Sequence, residues 1–234
     1  MRAGIIQSSF IPWRGYFDFI ASVDIFIFHD DIQYTKNDWR NRNRIKTPNG
    51  TMWLTVPVSY RKSSQLICDT EIDDSTKWRK KHMNQWAENY RKAAHIDDVF
   101  ELLGDMGDGE ARTISQLNIR LIQSICSYLA IHTQTILSSE LKVDGKKTDR
   151  LINLLRAVSA TTYLSGPTAD NYLDKDAFRN AGITLEYKSY DYDPYPQLWG
   201  EFNGAVSVLD LIANCGLGAR ELINSKKQNK LIVL

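Results

Sequence analysis

The chain has 234 residues, of which 43% are hydrophobic and 24% are charged, and its formal net charge is +1. This composition is that of an ordinary globular protein, and it excludes a disordered chain, a fibrous protein and a coiled coil. Because the chain lacks the basic excess of a nucleic-acid-binding protein, no nucleic acid partner is expected. Any anionic ligand would have to be bound by a local cluster of basic residues.

No apolar run approaches the roughly 20 residues of a membrane-spanning helix, and the first residues do not form a secretory signal. We therefore expect a cytoplasmic protein without a membrane span. Cys68, Cys126 and Cys215 are far apart and odd in number, which argues against a disulfide framework or a Cys-rich metal site. The sequence has no zinc motif, and it indicates neither a cofactor nor an oligomeric state.

The beginning of the chain predicts a βαβ unit followed by a hairpin. Residues 3–6 and 24–28 are short apolar runs typical of buried parallel strands, and residues 13–20 between them have helical spacing. Residues 47–50 carry Pro, Asn and Gly in the order of a tight turn, which predicts hairpin strands near 39–46 and 51–58. Pro57 would then lie on an edge.

The rest of the chain predicts helices and then alternating strands and helices. Two amphipathic helices, at 75–92 and 113–130, would form a helical subregion at about 75–131. Later strands are predicted at 135–137, 162–164 and 184–187, with helices at 148–158, 175–180, 207–214 and 219–224. The prediction is one α/β domain over 1–234, with an open, mostly parallel, Rossmann-like sheet, a β-hairpin and this inserted subregion.

The loop after the first strand is the first candidate site. Ligands of open α/β sheets lie beyond the carboxyl ends of the strands, and the start of a helix favours anions. Gln7 and Ser8 stand at that edge, and Trp13 and Gly15 open the helix. The loop lacks the Gly-x-Gly-x-x-Gly spacing of a dinucleotide fingerprint. A loop that only caps its own helix is the alternative.

Two residues are candidates for proton transfer. Asp30 stands beside Asp31 at the end of the second strand, where paired carboxylates could hold Mg²⁺ or act as a general base. Solvated turns are the alternative for these two residues. Histidine titrates near neutrality, so His82 could move a proton while Lys81 neutralises an anion. A packed helix residue is the alternative for His82.

The segment at 39–46 is the main candidate for anion binding. If it is extended, successive side chains on one face lie about 6.6 Å apart, which suits bidentate binding of phosphate or carboxylate. The cationic face would consist of Arg40, Arg42, Arg44 and Lys46, and the opposite face of Trp39, Asn41, Asn43 and Ile45. A charged hairpin edge that discourages aggregation is the alternative, although lysine is the usual residue there.

Two later loops complete the candidates. Residues 165–172 follow a predicted strand, and Gly166 would let a ligand approach the backbone while Tyr172 contacts it. The aromatic loop at 190–199 could stack on a sugar or could pin itself across the fold, and we favour the second interpretation.

Taken together, several segments resemble the WbqC-like family of bacterial proteins over nearly the whole chain. They are IIQSSFIPWRGYFDFI, DIFIFHDDIQYTKNDWRNRNRIKTPNG, WLTVPV, WRKKH, YLSGPTADNYL, FRNAGITLEY and YPQLW. The residues that match the pattern are Gln7, Pro12, Trp13, Gly15, Asp30, Asn41, Arg42, Arg44, Lys46, His82 and Gly166. Where His-Gln-Pro is expected in the first loop, this chain has Ile6-Gln7-Ser8, so a catalytic histidine there would be missing.

The resemblance implies a role beside genes for O-antigen and other surface polysaccharides, and transfer of glycine or a related acyl group. More distantly, the strand, Pro-x-x-Gly loop, helix and Asp-containing strand are similar to the start of the HIGH-motif adenylyl transferases. Neither histidine of that motif is present. This second similarity concerns the fold and does not establish the use of ATP.

Three functions are therefore open. The first is an enzyme of surface-polysaccharide biosynthesis that transfers an acyl or aminoacyl group, such as glycyl, to an amino sugar on a nucleotide carrier. Arginines would hold the anionic part, and His82 or Asp30 would take the amine proton. The second is ATP-dependent adenylation of a carboxylate, with Asp30 and Asp31 on Mg²⁺. The third is a ligand-binding or scaffold protein without turnover.

Overall fold

The computed structural model describes residues 1–104, 106–107 and 109–234. Its strands are β1 (Arg2–Ile6), β2 (Ile25–Phe28), β3 (Arg42–Thr47), β4 (Gly50–Thr55), β5 (Gln134–Leu137), β6 (Thr162–Ser165), β7 (Thr184–Tyr187) and β8 (Lys230–Val233). Its α-helices are α1 (Arg14–Ala21), α2 (Trp78–Tyr90), α3 (Ile96–Gly104), α4 (Ile114–Tyr128), α5 (Ser138–Leu141), α6 (Lys147–Ala157), α7 (Lys175–Ala181), α8 (Val208–Cys215) and α9 (Ala219–Leu222).

Six strands form the main sheet in the order β5-β2-β1-β6-β7-β8. All neighbouring pairs are parallel except β7 and β8. The predicted open, mostly parallel, Rossmann-like sheet is therefore confirmed. From β1 the chain moves to β2 on one side and later returns to β6 on the other. This reversal of strand order leaves a crevice beyond the carboxyl ends of β1 and β6, where open α/β sheets bind ligands.

Both faces of the sheet are buried, and β2 shows how its sequence serves both. Phe26 and Phe28 point into one hydrophobic core, and Ile25 and Ile27 alternate with them and point into the other. All four residues are buried, which explains why this strand is a continuous apolar run. Burying each such side chain contributes roughly 1.5–3 kcal/mol.

The hairpin of β3 and β4 lies outside the main sheet and has two different faces. Asn43 on β3 pairs with Leu54 on β4, and both side chains are buried. Arg44 pairs with Trp53, and this pair lies on the outer face. Gly50, with φ of 107°, makes the turn in a conformation that other residues rarely adopt.

The structure differs from the predicted elements in a few places. The first hairpin strand begins at Arg42 because the carbonyl of Trp39 accepts a hydrogen bond from the amide of Phe10 (2.9 Å) and is not available to the hairpin. The second strand ends at Thr55, so Pro57 lies beyond it. Helix α3 and the antiparallel edge strand β8 were not predicted.

Candidate ligand-binding site

A cavity of about 600 Å³ lies beyond the carboxyl end of β1. Three stretches of chain form it: the loop into α1, the start of the hairpin, and a loop after β7. Its lining residues are Ile6, Ser9, Pro12, Trp13, Arg14, Tyr16, Trp39, Arg40, Asn43, Tyr190, Tyr192, Gly204 and Ala205. The volume is that of a site for a molecule of nucleotide or cofactor size.

One wall of the cavity is aromatic. The ring centre of Trp13 lies 5.1 Å from that of Tyr190 and 5.8 Å from that of Tyr192. Trp13 is the residue before the first turn of α1, and Gly15 lies directly beneath its ring. A Cβ at position 15 would stand 2.4 Å from the indole, so only glycine lets the ring take this place. Flat π surfaces of this kind stack on rings such as nucleobases.

Arg40 is a buried cation in the lining of the cavity. It donates a hydrogen bond to the Oε1 of Gln7 and lies 3.8 Å from a carboxylate oxygen of Asp38. Burial lowers the pKa of Arg40, and the nearby Asp38 partly offsets this effect. Its Nε is enclosed by the protein and has no hydrogen-bond partner within the described residues. A guanidinium that lines a cavity can bind an anion there.

Arg14 is a second buried guanidinium in the lining. It donates hydrogen bonds to the carbonyls of Asp193 (2.9 Å) and Leu222 (3.1 Å), and its central carbon lies 4.5 Å from the ring centre of Tyr192. Burial lowers the pKa of Arg14, while the neighbouring tyrosines counteract the shift. Arg14 therefore fixes the loop after β7 over α1 and adds positive charge to the cavity.

The hairpin also shapes the loop after β1. The Nδ2 of Asn43 donates hydrogen bonds to the carbonyls of Phe10 (3.1 Å) and Ile11 (2.8 Å). Ile11 has a φ of 36°, a left-handed conformation that an isoleucine adopts only when its surroundings impose it. Asn43 thus holds the carbonyls of a strained loop while it lines the cavity.

A buried carboxylate anchors the other end of the aromatic loop. Asp210, on α8, accepts hydrogen bonds from the hydroxyls of Tyr90 (2.6 Å) and Tyr195 (2.7 Å) and from the Nε2 of Gln197 (2.6 Å). Burial raises the pKa of Asp210, and these hydrogen bonds oppose the rise. The Nζ of Lys46 in turn donates to the Oε1 of Gln197 at 2.8 Å. The network explains how the segment after Tyr192 is held in place.

The cavity favours anions because of the charges in its lining. It has two guanidiniums, and none of the lining residues is an aspartate or glutamate. The first turn of α1 also lacks a side-chain cap, and Trp13 and Arg14 at its start line the cavity, so the positive end of this helix adds to the potential there. The arrangement combines an aromatic surface with a site for negative charge.

A family comparison agrees with the sequence resemblance. The family model described as "WbqC-like protein family" matches residues 7–222. The chain belongs to this family. It is also 46% identical over 230 residues to "Uncharacterized protein Rv1507c" of Mycobacterium tuberculosis strain H37Rv, and the match covers 97% of this chain and 99% of that protein. No solved structure matches the chain significantly.

The residues predicted in the first loop of this WbqC-like chain lie at or next to the cavity. Trp13 lines it, Gln7 holds Arg40, and Gly15 supports the ring of Trp13. Ser8 is fully buried, and its Oγ has no partner among the described residues. Asn41 is also buried and donates a hydrogen bond to the carbonyl of Val56 at 2.9 Å, which is a structural contact.

The predicted row of cations in this WbqC-like protein does not form one face. Arg40 precedes β3 and lies in the cavity, whereas Arg42 and Arg44 lie on the outer face of the hairpin over Trp53. Lys46 is buried against Gln197 and the carbonyl of Glu201. Arg40 is separated from the other three cations because the chain turns at residues 38–41 before β3 begins, so strand alternation does not reach Arg40.

Asp30 and Asp31 are bound to side chains of the protein itself. Asp30 accepts hydrogen bonds from the Oγ of Ser138 (3.0 Å) and from the amide and Oγ of Ser139 (3.1 and 2.7 Å), at the start of α5. Burial alone would raise the pKa of Asp31, but hydrogen bonds from Ser138 and Arg150 outweigh it and lower that pKa. Neither residue lines the cavity, so the structure gives Asp30 a capping role and lends no support to the predicted Mg²⁺ site.

His82 is buried on α2 and does not line the cavity. Its ring centre is 5.8 Å from that of Phe10, and its Nε2 is 3.1 Å from the carbonyl oxygen of Thr55. Burial lowers the pKa of His82 to about 4. The Nδ1 is buried without a partner in the described part of the chain. A general base must reach the proton it removes, and His82 is placed as a packed core residue instead.

The depressed pKa of His82 predicts a pH dependence of stability. A base whose pKa falls from 6.5 to about 4 on folding contributes stability that is present above pH 6.5 and lost as the pH falls through 4. Urea titrations should show the free energy of unfolding decreasing by up to roughly 3 kcal/mol over this interval. In His82→Gln the histidine part of this dependence should vanish. An equal pH slope in wild type and variant would contradict the assignment.

Three other predicted residues lie outside the lining. The side chain of Lys81 is exposed on α2, and Tyr172 is 70% exposed. Gly166 precedes a short 3₁₀ helix, Pro167–Asn171, at the end of β6. It stands on the same edge of the sheet as the cavity but does not contribute to its lining.

Several residues of the site were not predicted from the sequence. Arg14, Tyr190 and Tyr192 line the cavity, although we had expected the aromatic loop only to pin itself across the fold. One signal was available: Asp210 is a carboxylate within the apolar run of α8, and such a residue needs a buried partner. That partner is the end of the aromatic loop.

Within residues 1–104, 106–107 and 109–234, no group of three or more His, Cys, Asp and Glu side chains is placed to hold a metal ion. Over the same residues, the helices lack the length and apolar character required to cross a bilayer.

Proposed function

We propose that this protein is a group-transfer enzyme that binds an anionic, ring-containing substrate in the cavity, and specifically an acyl or aminoacyl transferase acting on an amino sugar carried by a nucleotide. The observation that carries the proposal is the presence of a buried guanidinium, Arg40, and an aromatic wall in one cavity beyond the carboxyl end of β1. A nucleobase would stack on one of the two rings, Trp13 or Tyr190, whose planes are inclined by 58°, and its phosphate would bind Arg40.

The start of helix α1 borders the same cavity. Its first turn has no side-chain cap, and Trp13 and Arg14 at its start both line the cavity. Amides at a helix start and the helix dipole favour phosphate groups. The start of α1 would therefore add to the positive potential that Arg14 and Arg40 give the cavity.

In the proposed reaction, the sugar amine attacks the carbonyl carbon of an activated acyl donor. The new C–N bond forms as the bond to the leaving group breaks, and the amine proton departs with the leaving group or to water. The cavity would contribute orientation of the two reactants and stabilisation of the developing oxyanion by a guanidinium. An activation step supplies the donor, and a glycyl donor is the form suggested by the family resemblance.

A ligand-binding protein without turnover is the second candidate. It is favoured by the lining itself, which contains no carboxylate and no imidazole that could carry a proton. The adenylation hypothesis has less support, because the carboxylates of Asp30 and Asp31 are already bound by Ser138, Ser139 and Arg150. Product formation therefore separates the first two candidates.

The proposal predicts binding of nucleotide-linked amino sugars. Saturating UDP- or dTDP-linked amino sugar should raise the melting temperature by about 5 °C or more, since binding at 100 times Kd stabilises the fold by roughly 2.7 kcal/mol. Mass spectrometry after addition of an activated glycyl donor should show a glycyl residue added to the sugar. Binding without product would favour the ligand-binding candidate, and no shift across a panel of nucleotide sugars would refute both.

A further inference from the structure

The outer face of the hairpin carries two arginines stacked on a tryptophan. The guanidinium carbons of Arg42 and Arg44 lie 4.3 and 4.4 Å from the ring centre of Trp53. The ring centre of Trp39 lies 5.3 Å from that of Trp53. The two tryptophans are 42% and 38% exposed, although large aromatic side chains are usually covered. We call these four residues the hairpin surface.

The charge of the hairpin surface is not neutralised by the protein. In the part of the chain that the structure describes, neither Arg42 nor Arg44 has a carboxylate oxygen within ion-pair distance. Within those described residues, the side chain of Arg42 donates one hydrogen bond, to the backbone carbonyl of Asn37. Other arginines do find carboxylates, such as Arg61 with Glu71 at 2.6 Å. Two neighbouring cations without counter-charges favour an external anion.

Stacking prepares these guanidiniums for binding. One terminal nitrogen of Arg42 donates to the carbonyl of Asn37 and the Nε of both arginines is buried, so an anion would meet the remaining terminal nitrogens. A guanidinium that packs on an indole has few alternative rotamers. Less conformational entropy is then lost when an anion binds. Arg42 and Arg44 are two positions apart on β3, so their backbones are about 6.6 Å apart and their donors can converge on one phosphate or carboxylate.

Trp39 connects the hairpin surface to the cavity. It lines the cavity and also contacts Trp53. Its neighbour Arg40 also lines the cavity. The backbone carbonyl of Trp39 accepts a hydrogen bond from the amide of Phe10 in the loop after β1. The position of Trp39 is therefore fixed relative to both places. A ligand whose ring occupies the cavity would pass Trp39 before its outer end meets Arg42 and Arg44.

We propose that the hairpin surface is a second anion subsite, which binds a phosphate or carboxylate of the same molecule that occupies the cavity. This inference rests on the proposed function for the identity of that molecule. The substrate class is then an extended one, with a ring and a first anionic group inside the cavity and a second anionic group beyond its mouth. In a nucleotide sugar, the outer group is either the second phosphate or the carboxylate of an acidic sugar.

Calorimetry with UMP, UDP, UDP-N-acetylglucosamine and UDP-glucuronate tests the subsite. In Arg42→Gln/Arg44→Gln, the affinity for UMP should stay within about twofold, while that for ligands with the outer anion should fall about tenfold or more. A fall that begins with UDP identifies the second phosphate, and a fall confined to UDP-glucuronate identifies the carboxylate. An equal fall for all four ligands, or no fall, would overturn the subsite.

A matched control removes the same charge elsewhere. Arg91→Gln/Arg156→Gln changes two exposed arginines remote in sequence from the hairpin and should leave all four affinities unchanged. An equal effect of both double variants would show a general loss of positive charge and would overturn the subsite. Arg91→Gln/Arg156→Gln should melt as the wild type does, because both side chains are exposed. Arg42→Gln/Arg44→Gln should melt a few degrees lower but remain folded, because it loses two cation–π contacts.

One further arm separates this inference from the proposed function. If neither the uridine ligands nor the panel of nucleotide sugars binds the wild type, the proposed function fails, and inorganic diphosphate becomes the probe. Quenching of tryptophan fluorescence by diphosphate that disappears in Arg42→Gln/Arg44→Gln would still support the subsite, because Trp39 and Trp53 lie in it. Equal quenching in both proteins would overturn it. Intact nucleotide-sugar binding in the double variant would leave the proposed function standing alone.

Discussion

Replacing Arg40 by methionine is expected to weaken the binding of a nucleotide sugar by about 30-fold or more, since losing one partner of a buried charged pair costs roughly 2–5 kcal/mol. The reason is that Arg40 is a buried cation in the lining, held in place by Gln7 and Asp38. Methionine keeps most of the side-chain volume but removes every donor. Calorimetry with UMP and a UDP-linked amino sugar measures the change.

Two variants make this test specific. Arg156→Met removes an exposed arginine from α6 and should bind as the wild type does. Arg40→Lys keeps the charge and loses the planar fork, so its affinity should lie between the other two. Circular dichroism and melting curves should show that Arg40→Met remains folded. A folded Arg40→Met protein with wild-type affinity for both ligands would remove the basis of the proposed site.

The largest loss of stability is expected for Asp210→Ala. The substitution leaves the hydroxyls of Tyr90 and Tyr195 without their carboxylate acceptor, while the Nε2 of Gln197 loses Asp210 and keeps the carbonyl of Asn203 at 3.0 Å. A buried donor without an acceptor carries a desolvation penalty that is larger than the net stabilisation a hydrogen bond provides. The free energy of unfolding should therefore fall by about 3–5 kcal/mol. Urea denaturation measures this difference.

Controls distinguish the network from a general effect of charge. Asp210→Asn keeps an acceptor for Tyr195 and Gln197, and it should be less destabilising than the alanine variant. Asp144→Ala removes an exposed carboxylate and should change stability by less than about 0.5 kcal/mol. If Asp210→Ala were as stable as Asp144→Ala, the network would not hold the aromatic loop, and the origin of the cavity wall would need another explanation.

Most of the sheet could be predicted because its signals are local. The apolar run of β2 and the alternation of strands and helices from β5 to β7 depend only on neighbouring residues. Two elements depend on contacts that are distant in sequence. Strand β8 is a four-residue edge strand whose order comes from pairing with β7, and α3 buries Val99, Leu102 and Leu103 in a short stretch that shows little more than one turn of pattern.

The site was predicted in part for the same reason. The loop after β1 is predictable because the carboxyl edge of a parallel sheet is a general place for ligands, and Trp13 does line the cavity. The predicted position of Arg40, on the cationic face of an extended strand, was wrong. Strand alternation was extended to residue 40, but the bond between Trp39 and Phe10 turns the chain there. No local pattern predicts a hydrogen bond between segments about 30 residues apart.

His82 illustrates a different limit. In sequence it stands in a row of aromatic residues, where it is equally consistent with catalysis and with packing. Only the burial of its ring and the lowered pKa distinguish these interpretations. A histidine that resists protonation near neutral pH is a poor proton carrier at that pH, and the chemistry of the proposed reaction therefore rests on orientation and on the two guanidiniums of the lining.

The wide separation of the lining residues along the chain also affects how the protein is made. Ile6 and Ala205 meet in one cavity, so a ribosome must release almost the entire polypeptide before any binding-competent species exists. Bringing the ends of so long a loop together has an entropic cost that slows folding. The apolar segments of the early strands stay exposed to solvent during that time. Cellular yield of this protein should therefore respond to chaperone supply and to the presence of its ligand during synthesis.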